Sequence, residues 1–107
     1  MNSWAILTVA ILLEVLGSTA MKLSEGFTKL WPSVCMGICY LLSLAALNFA
    51  LKKIELSIAY AVWGGVGTAL IAMLGIAVFH ESATTLKLLS LLLVIAGVVG
   101  LHIGSRV

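Results

Sequence analysis

Charge is what this sequence has least of. Only 9% of its 107 residues are charged, and the formal net charge is +2. That is too little to hold a nucleic acid, and no basic run concentrates it. Cysteine is nearly absent. Cys35 and Cys39 are the only two, and both lie inside an apolar stretch. Their spacing puts them on one helix face, but no His or further Cys lies nearby to complete a metal site. They read as small apolar fillers. Proline occurs once, at Pro32. Low-complexity tails are missing as well, and no stretch is left over for a soluble catalytic domain. The chain is therefore expected not to be an enzyme, and to use neither metal nor cofactor.

What the sequence has is apolar surface. Hydrophobic residues make up 63% of the chain, and the mean hydropathy is +1.24. A soluble domain this small leaves a large share of its surface exposed and cannot hide so much of it. A bilayer removes the difficulty. A spanning helix needs about 20 apolar residues, so four would use roughly 80 of the 107. The segments fall at about 4–21, 33–51, 56–79 and 86–103 of one domain, 1–107. They are continuous rather than alternating, which argues against barrel strands. Pro32 suits a helix's first turn, where its missing N–H costs nothing. Trp4 and Trp31 fall at segment ends, where an aromatic belt belongs. A cleaved leader is not expected, because no Lys or Arg precedes the first apolar run and Glu14 interrupts it. The expected fold class is an all-α membrane protein with four transmembrane helices per protomer.

The charges are few but evenly placed. With four spans, both termini and the second loop share one side of the membrane. That side carries Lys52, Lys53 and Arg106, and the other carries Lys22, Lys29 and Lys87. Orientation follows the Lys/Arg bias between sides, and here there is none. The expectation is a chain that inserts both ways up and pairs as an antiparallel, dual-topology homodimer. Four helices barely surround a solute, whereas eight can. The fourth segment offers a dimer seam, since Ser90, Gly97 and Gly104 repeat every seven residues with Gly100 alongside. Small residues let helices approach closely in lipid, although they are also common in membrane helices generally.

Glu14 is the one ionisable side chain well inside an apolar run. A carboxylate near the bilayer centre costs about 2.5–3.5 kcal/mol on insertion scales, which makes it a functional-site candidate by default. The plainer alternative is a protonated Glu in an interhelical hydrogen bond. Low dielectric disfavours the charged carboxylate, and a second carboxyl nearby disfavours it further. In a homodimer two Glu14 side chains meeting near the midplane would titrate as a coupled unit. A cation arriving there would expel protons, and returning protons would expel the cation. Competition for one site is the simplest physical basis for antiport.

The neighbourhood suits that role. Leu7, Ala10, Ile11, Gly17 and Ser18 share the Glu14 face at helical spacing, and three of them are small enough to leave space beside the carboxyl. The third segment brings Tyr60 and Trp63 within one turn of each other, and the second brings Tyr40 and Ser43 onto one face. Aromatic faces attract organic cations. Tyr40 reads equally well as packing or lipid-facing. Gly64, Gly65 and Gly67 follow Trp63 and either form a hinge or let helices pack closely. Asn48 reads as an interhelical hydrogen-bonding group and Lys22 as a snorkelling one. Glu25, His80 and Glu81 read as solvated loop residues.

These residues closely resemble the small multidrug resistance family, over nearly the whole chain. The resemblance rests on Leu-Glu-Val-Leu-Gly-Ser-Thr-Ala-Met-Lys around Glu14, on the loop Ser-Glu-Gly-Phe-Thr-Lys-Leu-Trp-Pro-Ser, on Ile-Ala-Tyr-Ala-Val-Trp ending at Trp63, and on the glycines after it. It implies a multi-pass protein of the bacterial inner (plasma) membrane that works as an antiparallel dimer and exports organic cations in exchange for protons. It implies that Glu14 binds both protons and substrate, and that Tyr60 and Trp63 line the site. Guanidinium exporters of the family carry Trp at the place of Gly17, so Gly17 implies the quaternary-ammonium multidrug subtype. Ser18 is a mild departure, since multidrug relatives often have Thr there. Paired polyamine exporters usually show unequal charge bias, unlike the balanced count here. The rival within transport is a guanidinium or polyamine exporter. The rival outside it is a non-transporting assembly subunit or a passive channel.

Overall fold

The computed structural model describes residues 2–104. Four helices follow one another: α1 (Ser3–Leu23), α2 (Leu30–Ala50), α3 (Leu56–Ala77) and α4 (Thr85–Gly104). At about 1.5 Å per residue each spans about 30 Å, the depth of the hydrocarbon layer. All four are long and apolar enough to cross it.

Local chemistry sets the ends. α1 begins at Ser3 because the Asn2 side chain accepts the Ala5 N–H at 2.8 Å, a standard N-cap. It runs on through Lys22 and stops at Ser24, whose N–H donates to the Ala20 carbonyl at 2.9 Å and whose hydroxyl donates to Met21 at 2.8 Å. The chain then turns through positive φ at Glu25 (47°), Gly26 (70°) and Phe27 (67°). α2 starts at Leu30, earlier than the expected 33, which leaves Pro32 in its first turn. The second turn is tight, with the Lys53 and Ile54 N–H groups both donating to the Ala50 carbonyl at 3.2 Å. α3 ends at Ala77, before the expected 79, and His80 takes a positive φ of 58°.

α1 is the centre of the bundle. It packs broadly on α2 and more narrowly on α3, while the α4 backbone approaches α3 alone. The core joins Leu7, Ala10, Ile11 and Val15 of α1 to Leu47 and Ala50 of α2, Ile54 of the turn, and Ile58 and Ala59 of α3. It therefore fills the end of the bundle where α1 begins. At the other end a cavity of about 150 Å³ opens between the later turns of α1 and α3.

No described residue of α4 is buried. Its half-buried side chains, Lys87, Leu91, Ile95 and Val98, form one stripe, and Val94 and Val98 close on Gly65 of α3. Ser90, Gly97, Gly100 and Gly104 are exposed, and helical geometry puts them on the far side of that stripe. Trp4 and His102 meet edge-on at 5.5 Å, joining α1 to α4 at one end. Arg106, part of the charge balance above, lies outside the described residues.

Candidate functional site

Glu14 lies midway along α1 and points at α3. Its Oε2 is buried with no hydrogen-bond partner among the described residues. The carboxyl rests on Gly67, where even a single added Cβ would overlap it. Gly67 thus lets the α3 backbone come close enough to floor the site. A second polar link lies nearer the core. Ser43 of α2 is buried, donates its hydroxyl to the Ala10 carbonyl at 2.7 Å, and accepts the Trp63 indole N–H at 3.1 Å. One hydroxyl thereby ties α1, α2 and α3 together and fixes how Trp63 is turned. Tyr60 is exposed and meets Trp63 edge-on, with ring centroids 5.5 Å apart.

The remaining expected residues separate into two groups. Ser18 and Tyr40 come together, their hydroxyls 2.6 Å apart. Ser18 is one turn along α1 from Glu14, so this α1–α2 link lies next along the helix from the carboxyl. Leu7, Ala10, Ile11 and Gly17 do not line open space within the protomer. The first three are in the core, and a Cβ on Gly17 would sit 3.3 Å from the Cys39 Cβ and 3.5 Å from the Tyr40 ring. The space expected beside the carboxyl on α1 is thus filled by helix contacts, because the Glu14 face is also the face on which α2 and α3 pack. The glycines after Trp63 lie within an unbroken α3. Gly65 and Gly67 are close-approach points, and Gly64 has open space beside it.

The sequence has clear relatives among known proteins. The sequence profile described as Small Multidrug Resistance protein matches residues 2–94. The chain belongs to the small multidrug resistance family. It is 50% identical to the multidrug resistance protein EbrB of Bacillus subtilis, over 90% of this chain and 82% of that protein. It is 44% identical to the multidrug transporter EmrE of Escherichia coli, over 99% and 96%. It is 41% identical to a guanidinium exporter of Proteus vulgaris, over 96% and 99%. Family membership and four apolar helices bear out the expected multi-pass location in the bacterial inner (plasma) membrane. Membership in a transporter family also explains why the polar groups sit inside the helices rather than on a soluble domain.

Beyond the Ser18–Tyr40 and Ser43–Trp63 links, the structure gives Glu81 a setting that its place in a loop does not suggest. Gly75, like Gly67, is a floor for a carboxylate, that of Glu81. Glu81 also pairs with Lys87 at 3.3 Å and lines the cavity between α1 and α3. A glycine spaced eight residues after Gly67 was the available signal, since i and i+8 lie near one helix face.

Proposed function

We propose that this protein is a proton-coupled antiporter that exports hydrophobic and quaternary ammonium cations by alternating access, working as an antiparallel homodimer. The observation that carries the reading is the Glu14 carboxyl, with a buried oxygen that no described residue satisfies. A buried anion without a partner is costly in lipid, so Glu14 must hold either a proton or a cation. Exchange of one for the other at a single carboxyl couples the two flows. Tyr60 and Trp63 supply aromatic faces for a cation. The Ser18–Tyr40 link lies next along α1 from the carboxyl, and Leu7, Ala10, Ile11 and Gly17 hold α1 in place behind it.

The dimer rests on two further observations. α4 has no fully buried residue in its own protomer and turns its small-residue seam outward. The basic residues are balanced between the two sides, which favours insertion in both orientations. Two opposed copies are equal in energy after exchanging shapes, so alternation between the membrane faces needs no large driving bias. Gly64, with space around it, suits the bending this requires.

Guanidinium export is the second reading, favoured by the Proteus relative. Gly17 weighs against it, because α2 packs directly on that glycine and leaves no room for the Trp expected in guanidinium exporters.

The test is uptake into liposomes under an imposed pH gradient. Concentrative movement of a quaternary ammonium cation is expected. Movement of guanidinium alone would select the second reading, and no coupled flux of any cation would refute both. Tags on the termini should label from both faces of the membrane, and labelling from one face only would refute dual insertion.

A further inference from the structure

The loop between α3 and α4 folds back on α3. The Glu81 N–H donates to the Gly75 carbonyl at 3.0 Å, and the Glu81 carboxylate lies over Gly75, where a Cβ would overlap it. Thr84 accepts the Lys87 N–H at 3.1 Å, which holds Lys87 in the first turn of α4. Its ammonium then reaches Glu81 at 3.3 Å.

Both charges stand where the helices disfavour them. Glu81 is at the C-terminal end of α3, where unpaired carbonyls carry partial negative charge. Lys87 is at the N-terminal end of α4, where unpaired N–H groups carry partial positive charge. Each is offset by the other, but the side chains are 48% and 30% exposed, so solvent weakens the pair. Glu81 is therefore a carboxylate that needs a cation and holds its present one loosely. It shares a cavity with the Phe79 ring and with Lys22 of α1, and that cavity runs down to Ser18 and Thr19 of α1, one turn from Glu14. At about 150 Å³ the space accepts an ammonium head group and leaves a substrate's bulk outside.

We propose that Glu81 and Phe79 form an outer cation site, at which the head group of an organic cation displaces the Lys87 ammonium before moving inward to Glu14. This rests on the antiport reading above. It assigns Glu81 to substrate capture and leaves the proton exchange to Glu14. Lys87 becomes an internal competitor for Glu81, and Lys22 adds a second positive charge to the lining that an entering cation must also overcome.

The test is pH-driven uptake of benzyltrimethylammonium, whose trimethylammonium head projects from its bulk, by the full-length protein in liposomes. Glu81→Gln should raise KM by about two- to fivefold with Vmax near wild type, the upper part of the range expected for losing one partly exposed ion pair. Lys87→Gln should lower KM, because the competitor is gone. The double variant Glu81→Lys with Lys87→Glu restores the ion pair but reverses the charge facing the cavity, so its KM should stay high. A return to wild-type KM in the double variant would show that the pair is only structural and would overturn the proposal. So would an unchanged KM in Glu81→Gln, or a raised KM in Lys87→Gln. Should Glu81→Gln fail to assemble, the Lys87→Gln result decides alone. Glu14→Gln separates the two levels of the account. If it still concentrates the cation, the antiport reading has failed. If it is inactive while Glu81→Gln behaves as wild type, only the outer site has failed.

Discussion

Gly67→Ala is the sharpest test of how the site is built. The added Cβ would lie 3.0 Å from the Glu14 carboxyl carbon and 3.3 Å from its Oε1, with Oε2 closer still. Ordinary contacts are about 3.5–4.0 Å, so the carboxyl must retreat by roughly 1 Å or slightly more, Oε2 the furthest. The group that moves is the end of a flexible side chain, so the helices need not separate. Overpacking of this kind costs about 1–3 kcal/mol, and replacing Gly by Ala in a helix returns about 1 kcal/mol. The net change in stability is then about 0–2 kcal/mol, within reach of normal assembly. The site fares worse, because a misplacement of about 1 Å at a reacting group costs on the order of 100-fold in rate. The expected result is a protein of near-normal expression and thermal denaturation in detergent, with pH-driven cation uptake reduced at least tenfold. Gly64→Ala is the matched control, since its Cβ meets nothing within 4 Å. Wild-type uptake by Gly67→Ala would refute the glycine-floor reasoning. Equal loss in both variants would show that these glycines act by bending α3 rather than by close approach.

Ser43→Ala removes a donor to Ala10 and strands the Trp63 indole N–H. Interhelical hydrogen bonds in membranes average about 0.6 kcal/mol, so a small loss of thermal stability should accompany a clear change in Trp63 fluorescence, and an unchanged spectrum would contradict the link. Gly17→Trp should disrupt the α1–α2 contact, with Cys39 and Tyr40 already against that glycine, so poor expression is expected rather than a switch to guanidinium export. Gly97→Leu puts bulk on the outward face of α4, where an added Cβ meets no other helix within 4 Å among the described residues. It should leave the fold intact and shift the protein to monomers on size-exclusion chromatography, and an unaffected dimer would remove α4 from the interface.

Much of the fold was legible because lipid leaves the sequence little choice. Backbone groups must pair within each segment, so long apolar runs are helices and turn residues mark where they stop. The ends were less legible because they depend on local caps. Asn2 extends α1 backward, and Ser24 closes it only after Lys22. Glu14 stood out by chemistry alone, as a carboxyl in an apolar run. Its setting did not. Periodicity gives the face of a helix, but not which helix covers that face or how closely. That is why Ala10 and Gly17, small enough to leave space beside the carboxyl, are covered by neighbouring helices instead. Gly67 and Gly75 were legible as glycines, but their use as floors for two carboxylates depends on a side chain arriving from elsewhere in the chain. The Ser18–Tyr40 and Ser43–Trp63 links were unreadable for the same reason. Each joins residues 20 or more apart whose facing is decided by packing.

The account stands on one carboxyl group that binds a proton or an organic cation, but never both together. Proton release measures this directly. Purified protein in weakly buffered detergent, at a pH where Glu14 is protonated, is mixed with a quaternary ammonium cation, and the pH change is recorded. Wild-type protein should release protons in proportion to the cation bound, and Glu14→Gln should release none. Undiminished release from Glu14→Gln, or cation binding to wild type with no release at all, would contradict it.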